Sequence, residues 1–363
     1  MSKSVLLAMS GGVDSGTAAL LLSRAGYDVS GVTFLMHGDD AAAEAFLSYA
    51  PGSISRAARD VCLSVGAVHT AVDLRDAFRC RVITPFIDAY TSGITPNPCV
   101  TCNRTVKFRE LLRLADDAGI DYIATGHYSR VIYLPECGRY TFSVCADRAK
   151  DQSYMMYTLP QQILSRLILP LCDYTKPQIR SIAGEAALSG FDAPDSQDIC
   201  FIPDGDYAAY MERYGVVMTP GDFIDTAGNI IGRHRGAARY TCGQRRGLGV
   251  AFGEPMYVYG KNAADNTVTL ARDSELYHRT VKLTHIYLPS QNPSSDSAFP
   301  MRVTAKLRYT PRTAEATVYG GDNPDSLYVT FDVPQRAPTP GQHCVFYRGD
   351  VLIGGGEIAG AAD

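Results

Sequence analysis

The sequence predicts an α/β protein whose N-terminal half is a doubly wound parallel sheet and whose C-terminal part is an antiparallel β-barrel. Two patterns carry this prediction. Short apolar runs alternate with segments of helical spacing through the first third of the chain. Closely spaced strands separated by Pro, Gly, Asp and Asn turns fill the last part. At 363 residues, the chain has room for two or three domains of about 150 residues each.

The N-terminal elements follow one another as strand and helix. Apolar, partly β-branched runs at 4–8, 29–35, 68–72 and 122–125 predict strands, and segments 15–25, 54–65 and 108–118 predict helices. Such βαβ alternation is typical of a parallel sheet covered by helices. Segment 38–53 is rich in Ala, Asp and Gly and predicts a loop, with a helix over 41–49 as the alternative.

The pattern changes at residue 204. A short helix is predicted over 206–214, followed by Pro- and Gly-punctuated short strands of a small central unit. From residue 279 the strands 281–288, 301–309, 314–319, 327–333 and 344–347 predict the barrel, with a loop over 289–297. We therefore expect domains at 1–203, 204–278 and 279–363.

Composition limits the functions that the chain can have. Hydrophobic residues make up 46% and charged residues 20%, the balance of a globular protein with sizeable cores. The first apolar run is too short for a signal peptide or a membrane span, so we expect a cytoplasmic protein without a membrane partner. In that reducing compartment, most of the ten cysteines should be small buried residues. With a net charge of −4, nucleic-acid binding needs a local basic patch, and five arginines between 233 and 246, with no acidic residue among them, favour RNA contact.

The strongest motif is Ser10-Gly11-Gly12-Val13-Asp14-Ser15, between the first strand and the first helix. Its glycines allow a tight turn, and the helix N-terminus offers unpaired N–H groups to an anion. The motif lacks the Gly-Lys-Ser/Thr ending of a Walker A loop, and the sequence has no Gly-x-Gly-x-x-Gly fingerprint. The loop resembles that of the PP-loop ATP pyrophosphatases, which adenylylate a substrate oxygen and release pyrophosphate.

A second group of motifs contains cysteines. Cys99 and Cys102 lie in Asn97-Pro98-Cys99-Val100-Thr101-Cys102, and Cys200 lies in Asp195-Ser196-Gln197-Asp198-Ile199-Cys200. Cys-x-x-Cys is compatible with half a zinc site, a redox pair or two core cysteines, and we find no second Cys/His pair at zinc spacing. Because Arg104, Lys107 and a helix start are near, we expect a lowered thiol pKa in this loop.

Taken together, these motifs resemble the tRNA-specific 2-thiouridylase family. Further matches are Thr125-Gly126-His127-Tyr128, Lys150-Asp151-Gln152-Ser153-Tyr154, the segment 240–249 and Arg308-Tyr309, so the resemblance covers nearly the whole chain. It implies that ATP activates the C2 oxygen of the wobble uridine in tRNAs for Lys, Glu and Gln. A cysteine persulfide then delivers sulfur to C2.

The resemblance also implies roles for individual residues. Cys102 would be the nucleophile, Cys200 the persulfide carrier and Cys99 an accessory thiol, since an aspartate occupies that place in the best-known version of the motif. A transient disulfide between Cys102 and Cys200 would follow sulfur transfer. The residues implied in ATP binding are Ala8, Met9, Ser10, Gly11, Gly12, Val13, Asp14, Ser15, Phe34 and Gly126. Those implied in tRNA binding are Asn97, Pro98, Cys99, His127, Lys150, Asp151, Gln152, Arg308, Tyr309 and Gln342.

The implied small molecules and partners are ATP with Mg²⁺, tRNA, and a cysteine desulfurase or sulfur-relay protein as persulfide donor. Asp14 is the candidate Mg²⁺ ligand. One alternative is that Cys99, Cys102 and Cys200 hold a 4Fe-4S cluster. The others are a PP-loop ligase that transfers no sulfur and a non-catalytic RNA-binding protein.

Overall fold

The computed structural model describes residues 2–188, 199–250, 253–291 and 299–363. Its N-terminal part alternates strands and helices as the sequence predicts. The strands are β1 Ser4–Ala8, β2 Asp28–Leu35, β3 Val68–Asp73, β4 Tyr122–Thr125, β5 Arg130–Leu134, β6 Arg139–Ser143 and β7 Leu167–Ile168. The α-helices are α1 Val13–Arg24, α2 Asp40–Leu47, α3 Ile54–Ser64, α4 Arg75–Phe78, α5 Thr84–Thr91, α6 Pro98–Cys102, α7 Phe108–Asp117, α8 Ser153–Met156, α9 Gln161–Leu164 and α10 Lys176–Glu185. Two π-helical turns, Arg79–Ile83 and Asn103–Lys107, join α4 to α5 and α6 to α7.

Five of these strands form one parallel sheet in the order β3-β2-β1-β4-β7. The central strand β1 is apolar on both faces, with Val5 and Leu7 fully buried, because helices cover both sides of the sheet. The strand order reverses beside β1, so β2 and β4 leave a crevice at their carboxyl ends. Ligands of doubly wound folds bind at such a place.

The loop predicted over 38–53 is wrong, and the alternative helix is correct. Helix α2 begins after Asp39, whose carboxylate accepts a hydrogen bond from the Ala42 backbone N–H at 2.8 Å. Phe46 and Ala43 of this helix are buried. Three successive alanines and an acidic N-cap outweigh the Gly and Asp content of the segment.

The central part contains one helix and a small sheet. Helix α11 Tyr207–Arg213 confirms the helix predicted there, and the strands are β8 Gly221–Ile224, β9 Ile230–His234, β10 Tyr257–Asn262 and β11 Thr267–Ala271. The sheet order is β10-β11-β8-β9, around a core that includes Phe223, Val258 and Leu270. Two short 3-10 turns, Ala237–Arg239 and Asp273–Leu276, complete this part.

The C-terminal part is a closed antiparallel barrel of six strands. They are β12 Tyr277–Tyr287, β13 Met301–Lys306, β14 Ala314–Gly320, β15 Leu327–Arg336, β16 His343–Arg348 and β17 Val351–Ala361. The order is β12-β15-β14-β13-β16-β17, and pairing of β12 with β17 closes the ring. The hairpin β5–β6 of the N-terminal part extends this sheet, because Ser143 pairs with Val351 of β17. The fold class predicted from the sequence is thus confirmed.

No helix among residues 2–188, 199–250, 253–291 and 299–363 has the length and apolar character needed to cross a membrane.

Candidate active site

The predicted phosphate loop connects β1 to α1 in an open turn. Gly11 has a positive φ of 73°, and Gly12 precedes the first helical residue without a side-chain cap. The Ser15 hydroxyl donates to the Gly12 carbonyl at 3.0 Å and accepts the Ser10 backbone N–H at 3.2 Å. The first N–H groups of α1 lack a side-chain partner, so the turn can accept an anion.

The other two segments implied in ATP binding lie beside this loop. Phe34 is the penultimate residue of β2, and only 9% of its surface is exposed. Gly126 directly follows β4. A Cβ on Gly126 would lie 2.9 Å from the Ser15 backbone nitrogen, so only glycine allows this approach. The carboxyl ends of β1, β2 and β4 therefore bring the loop, Phe34 and Gly126 together.

Asp14 of the loop is held by two side chains to which the sequence motifs assigned no role. The Lys176 ammonium donates to both Asp14 carboxylate oxygens at 2.8 and 2.7 Å, and the Tyr128 hydroxyl donates to one of them at 2.7 Å. Lys176 is buried and begins α10, where Gln178 caps the backbone N–H of Thr175. No signal in α10 could have identified Lys176, because the helix carries several other polar and charged residues.

The two cysteines of the Cys-x-x-Cys motif differ in their surroundings. Helix α6 is capped by Asn97, whose side-chain oxygen accepts the Cys99 and Val100 backbone N–H groups at 3.2 and 3.4 Å. The Cys99 side chain is exposed and that of Cys102 is buried. Burial raises the pKa of the Cys102 thiol, and the nearby Lys107 ammonium only partly offsets it. The expected lowering of the thiol pKa is thus wrong for Cys102, because desolvation outweighs the neighbouring positive charge.

Cys200 lies in the same part of the fold as Cys102 although the two are far apart in sequence. The Cys200 side chain is exposed. The pKa of the Cys200 thiol is nevertheless raised. The first cause is desolvation by the surrounding protein, and the second is the negative charge that Cys102 carries when it is ionised. Phe201, the next residue, packs in the same core as Cys102. Residues 195–198 of the same motif lie outside the described residues.

The structure offers no support for the iron–sulfur alternative. All ten cysteines are within the described residues and none forms a disulfide. Within the same ranges, no group of three or more His, Cys, Asp or Glu side chains is arranged to hold a metal ion. Cys99, Cys102 and Cys200 therefore do not form the three-thiolate set that a cluster needs.

His127 connects the phosphate loop to the cysteines. It follows Gly126, its ring contacts Phe108 at 5.7 Å between centroids, and its Nδ1 is 2.7 Å from the Thr125 hydroxyl. Burial and the Lys107 charge hold the pKa of His127 well below its usual value, so the ring is neutral. Phe108, which the His127 ring contacts, packs in the same core as Cys102, so His127 lies between the phosphate loop and the core that holds Cys102.

Asp151 and Gln152, two of the residues implied in tRNA binding, make hydrogen bonds to groups of the protein. Asp151 is only 2% exposed, and its carboxylate accepts the backbone N–H groups of Cys145 at 3.0 Å and Ser153 at 3.2 Å and the Ser153 hydroxyl. Burial raises the Asp151 pKa. The Gln152 side-chain oxygen accepts the Tyr128 N–H at 2.9 Å. An RNA contact through the Asp151 carboxylate is therefore incompatible with this conformation, whereas the neighbouring Lys150 side chain is only half-buried.

The barrel places its predicted tRNA residues next to the cysteine loop. Arg308 is exposed and donates to the Arg336 carbonyl at 2.9 Å. The Tyr309 hydroxyl has its pKa raised to about 12, first by burial and in part by Asp151, Cys145 and Cys99. Gln342 donates to the carbonyls of Thr95 at 3.0 Å and Pro96 at 3.2 Å, immediately before Asn97 and Pro98.

The arginine-rich segment of the central part is only partly available to RNA. Arg239 pairs with Glu212, and Arg233 lies 3.5 Å from Asp222. Arg235, Arg245 and Arg246 are exposed. The basic patch is therefore smaller than the sequence suggests.

Family models match the chain in three consecutive parts. Residues 3–204 match the "tRNA methyl transferase HUP domain", residues 208–272 the "tRNA methyl transferase PRC-barrel domain", and residues 279–358 the "Aminomethyltransferase beta-barrel domain".

Full-length relatives carry one common name, tRNA-specific 2-thiouridylase MnmA. That of Acetivibrio thermocellus is 42% identical over 359 residues, which are 98% of this chain and 99% of the relative. That of Clostridioides difficile is 40% identical, over 99% of this chain and 98% of the relative. That of Desulfitobacterium hafniense is 43% identical over 98% of both chains. With its phosphate loop, its paired cysteines and this similarity along the whole length, the chain belongs to the tRNA-specific 2-thiouridylase family.

Proposed function

We propose that this protein replaces the C2 oxygen of a tRNA uridine with sulfur, using ATP to activate that oxygen. The observation that carries the proposal is the position of Gly126 and His127, between a nucleotide-type phosphate loop and the core that contains Cys102 and Phe201, the residue after Cys200. A carbonyl oxygen leaves poorly until it is adenylylated, and a thiolate or persulfide is the nucleophile that can then displace it. The relatives' name supports the same chemistry.

The proposed reaction has an adenylylation step and a sulfur-transfer step, and the sulfur-transfer step consists of two displacements. The C2 oxygen of the uridine attacks the α-phosphorus of ATP, and pyrophosphate leaves. The terminal sulfur of a Cys200 persulfide then forms a bond to C2, and the C2–O bond breaks to release AMP. Attack of the Cys102 thiolate on the Cys200 sulfur breaks the S–S bond, releases the 2-thiouridine and leaves a Cys102–Cys200 disulfide. A cellular dithiol must reduce this disulfide before the next turnover.

The residues at the loop fit a nucleotide with its metal. The N-terminus of α1 suits phosphate oxygens, and the Asp14 carboxylate is a ligand type that Mg²⁺ accepts. Lys176 donates a hydrogen bond to each Asp14 carboxylate oxygen. Mg²⁺ would therefore be held chiefly by the nucleotide phosphates, with Asp14 as one protein ligand. Lys176 is itself a cation beside the expected position of the phosphates.

Several finer features belong to the same proposal. The substrate would be the wobble uridine of tRNAs for Lys, Glu and Gln, in the cytoplasm, with sulfur from a cysteine desulfurase or a relay protein. The chain would divide at 1–203, 204–278 and 279–363. The side chains that we propose at the RNA are Lys150, His127, Arg308, Tyr309 and the exposed arginines 235, 245 and 246.

The family models carry the words methyl transferase, which name a different chemistry. Methyl transfer needs neither a phosphate loop nor a cysteine pair, and both are present here.

The test is anaerobic turnover of unmodified tRNA with ATP, Mg²⁺ and a persulfide donor, followed by mass spectrometry of the nucleosides. We expect 2-thiouridine, with one AMP per modified base. A methylated uridine, or modification that does not need ATP, would overturn the proposal.

A further inference from the structure

Tyr128 contacts the phosphate loop with its side chain and the motif that contains Lys150 and Gln152 with its backbone. Its hydroxyl donates to an Asp14 carboxylate oxygen at 2.7 Å. Its backbone N–H donates to the Gln152 side-chain oxygen at 2.9 Å, and its carbonyl accepts the Gln152 backbone N–H at 2.7 Å. One residue therefore connects a loop implied in ATP binding to a motif implied in tRNA binding.

The Tyr128 side chain has little freedom to move between these contacts. It is 3% exposed and packs in one apolar core with Val13 of the phosphate loop and with Cys145. Close-packed side chains do not shift independently of their neighbours. A movement of the Asp14 carboxylate and a movement of Gln152 therefore act on the same residue.

A second set of hydrogen bonds runs from the segment 145–152 to the phosphate loop. The Asp151 carboxylate accepts the Cys145 backbone N–H at 3.0 Å, and the Cys145 thiol donates to the Asp147 carbonyl at 3.2 Å. The Asp147 carboxylate accepts the Lys176 backbone N–H at 3.0 Å. Since the Lys176 ammonium donates to both Asp14 oxygens, the segment reaches Asp14 by a second route.

The segment 145–152 also carries a group that RNA would attract. Lys150 is one of the side chains that we propose at the RNA, and its backbone N–H donates to the Asp147 carbonyl at 3.0 Å. Ser153 directly follows the segment, and its hydroxyl lies 3.0 Å from that of Tyr347 in the barrel strand β16. RNA phosphates that bind the Lys150 ammonium would therefore act on a segment that is bonded to both the phosphate loop and the barrel.

A bound nucleotide would act on the other end of the same contacts. The Asp14 oxygens that accept hydrogen bonds from Lys176 and Tyr128 are also the oxygens that Mg²⁺ would use. Phosphate oxygens beside α1 would attract the Lys176 ammonium as well. The contacts of Asp14 would therefore change on nucleotide binding, and the Tyr128 hydroxyl lies where that change reaches Gln152.

We infer that Tyr128 is a positioning residue that couples the two ligands, so that bound tRNA strengthens ATP binding and bound ATP strengthens tRNA binding. The sign is positive because the first ligand fixes groups that the second would otherwise have to order. The two effects are equal, because the free energy of binding both ligands does not depend on their order. The inference rests on the proposed function, since it takes ATP and tRNA as the two ligands.

The test uses Tyr128→Phe, which removes only the hydroxyl. The phenylalanine ring keeps the apolar packing, and the backbone bonds to Gln152 are retained. Lys176 still donates to both Asp14 oxygens, so neither carboxylate oxygen loses its last partner. We therefore expect this variant to fold and to bind tRNA in the absence of nucleotide as the wild type does.

The matched control is Tyr328→Phe, which removes the same kind of hydrogen bond from the barrel. The Tyr328 hydroxyl donates to the Asp322 carboxylate at 2.7 Å, and the Lys282 ammonium donates to the same oxygen at 2.7 Å. This group repeats the Tyr–Asp–Lys arrangement at the phosphate loop but belongs to neither route described above. Tyr328→Phe should therefore behave as the wild type.

The measured quantity is a coupling factor, the Kd of α,β-methylene-ATP with Mg²⁺ in the absence of tRNA divided by the Kd at saturating unmodified tRNA. The methylene group prevents cleavage between the α- and β-phosphorus atoms, so calorimetry reports binding without turnover. We expect a factor of about 10 for the wild type and of about 3 or less for Tyr128→Phe, in which only the route through Lys176 remains. The Kd of tRNA with and without the analogue should give the same factors.

Two results would overturn the inference alone. One is a wild type that binds both ligands with a coupling factor of one. The other is a wild-type factor in Tyr128→Phe, even if both single affinities change, because a purely structural support would weaken binding without altering the coupling. A wild type that fails to bind the analogue or tRNA would overturn the proposed function as well. Melting temperatures of both variants without ligand control for unfolding.

Discussion

The phosphate loop takes its functional groups from one continuous strand–turn–helix, whereas the sulfur side of the site is assembled from distant parts of the chain. Ser10, Asp14 and Ser15 are positioned by their own neighbours in β1 and α1. Cys102 and Phe201, the residue after Cys200, come together only because separate segments pack into one core, and the barrel holds the segment before Cys102. The first half of the site is therefore local and the second depends on tertiary structure. Substitutions should separate the two halves into an adenylylation step and a sulfur-transfer step.

The largest expected effect is on sulfur transfer alone. Cys200→Ser should lower 2-thiouridine formation by at least about 10³-fold, because a hydroxyl cannot carry the terminal sulfur. AMP formation should continue, since the phosphate loop is untouched. The matched control is Cys80→Ser, an exposed cysteine outside the site, which should behave as the wild type. Thiolation by Cys200→Ser within a few-fold of normal would mean that sulfur reaches tRNA by another route.

The second-largest expected effect is on adenylylation at the phosphate loop. Lys176→Met should slow AMP formation by about 10²-fold, because a cation that is positioned beside the developing phosphate charge is lost. Persulfide loading of Cys200 should stay normal. The comparison variant is Lys3→Met, a surface lysine that contacts Tyr122. Equal rates of AMP formation in the two variants would show that Lys176 only neutralises Asp14.

A third prediction concerns the two thiols and pH. Alkylation of Cys200 and Cys102 should rise about tenfold per pH unit up to and beyond pH 9, because both thiols have raised pKa values and only the thiolate reacts. The exposed Cys200 should react faster than the buried Cys102 at every pH. Peptide mass spectrometry after timed alkylation gives both rates. A plateau already at neutral pH would mean that the charge of Lys107 outweighs desolvation.

The smallest effect tests how closely Gly126, after β4, approaches the start of α1. Gly126→Ala places a methyl group 2.9 Å from the Ser15 nitrogen, so the start of α1 must shift. Overpacking of this kind costs about 1 kcal/mol, which corresponds to a loss in ATP affinity of about fivefold. Calorimetric titration with ATP measures it. Gly320→Ala, where an added Cβ meets no atom within 4 Å, is the control.

The same contrast explains what the sequence could predict. The phosphate loop, the parallel sheet and the barrel follow from contiguous patterns, so their prediction succeeded. Lys176 was missed because its partner Asp14 is far away in sequence and nothing in α10 marks the contact. The thiol pKa of Cys102 was predicted in the wrong direction because sequence neighbours show charges but not burial. The hydrogen bonds of Gln342 and Asp151 to protein groups likewise depend on three-dimensional packing alone.

The central claim is that ATP activation and sulfur delivery meet at one site, with Cys200 as the carrier. The most direct measurement loads the protein with a labelled persulfide under anaerobic conditions, maps the extra sulfur by peptide mass spectrometry, and follows it after addition of tRNA with and without ATP. We predict that the label starts on Cys200 and moves to C2 of uridine only when ATP is present, leaving Cys102 and Cys200 as a disulfide. A label that resides on another residue, or that reaches tRNA without ATP, would contradict the account.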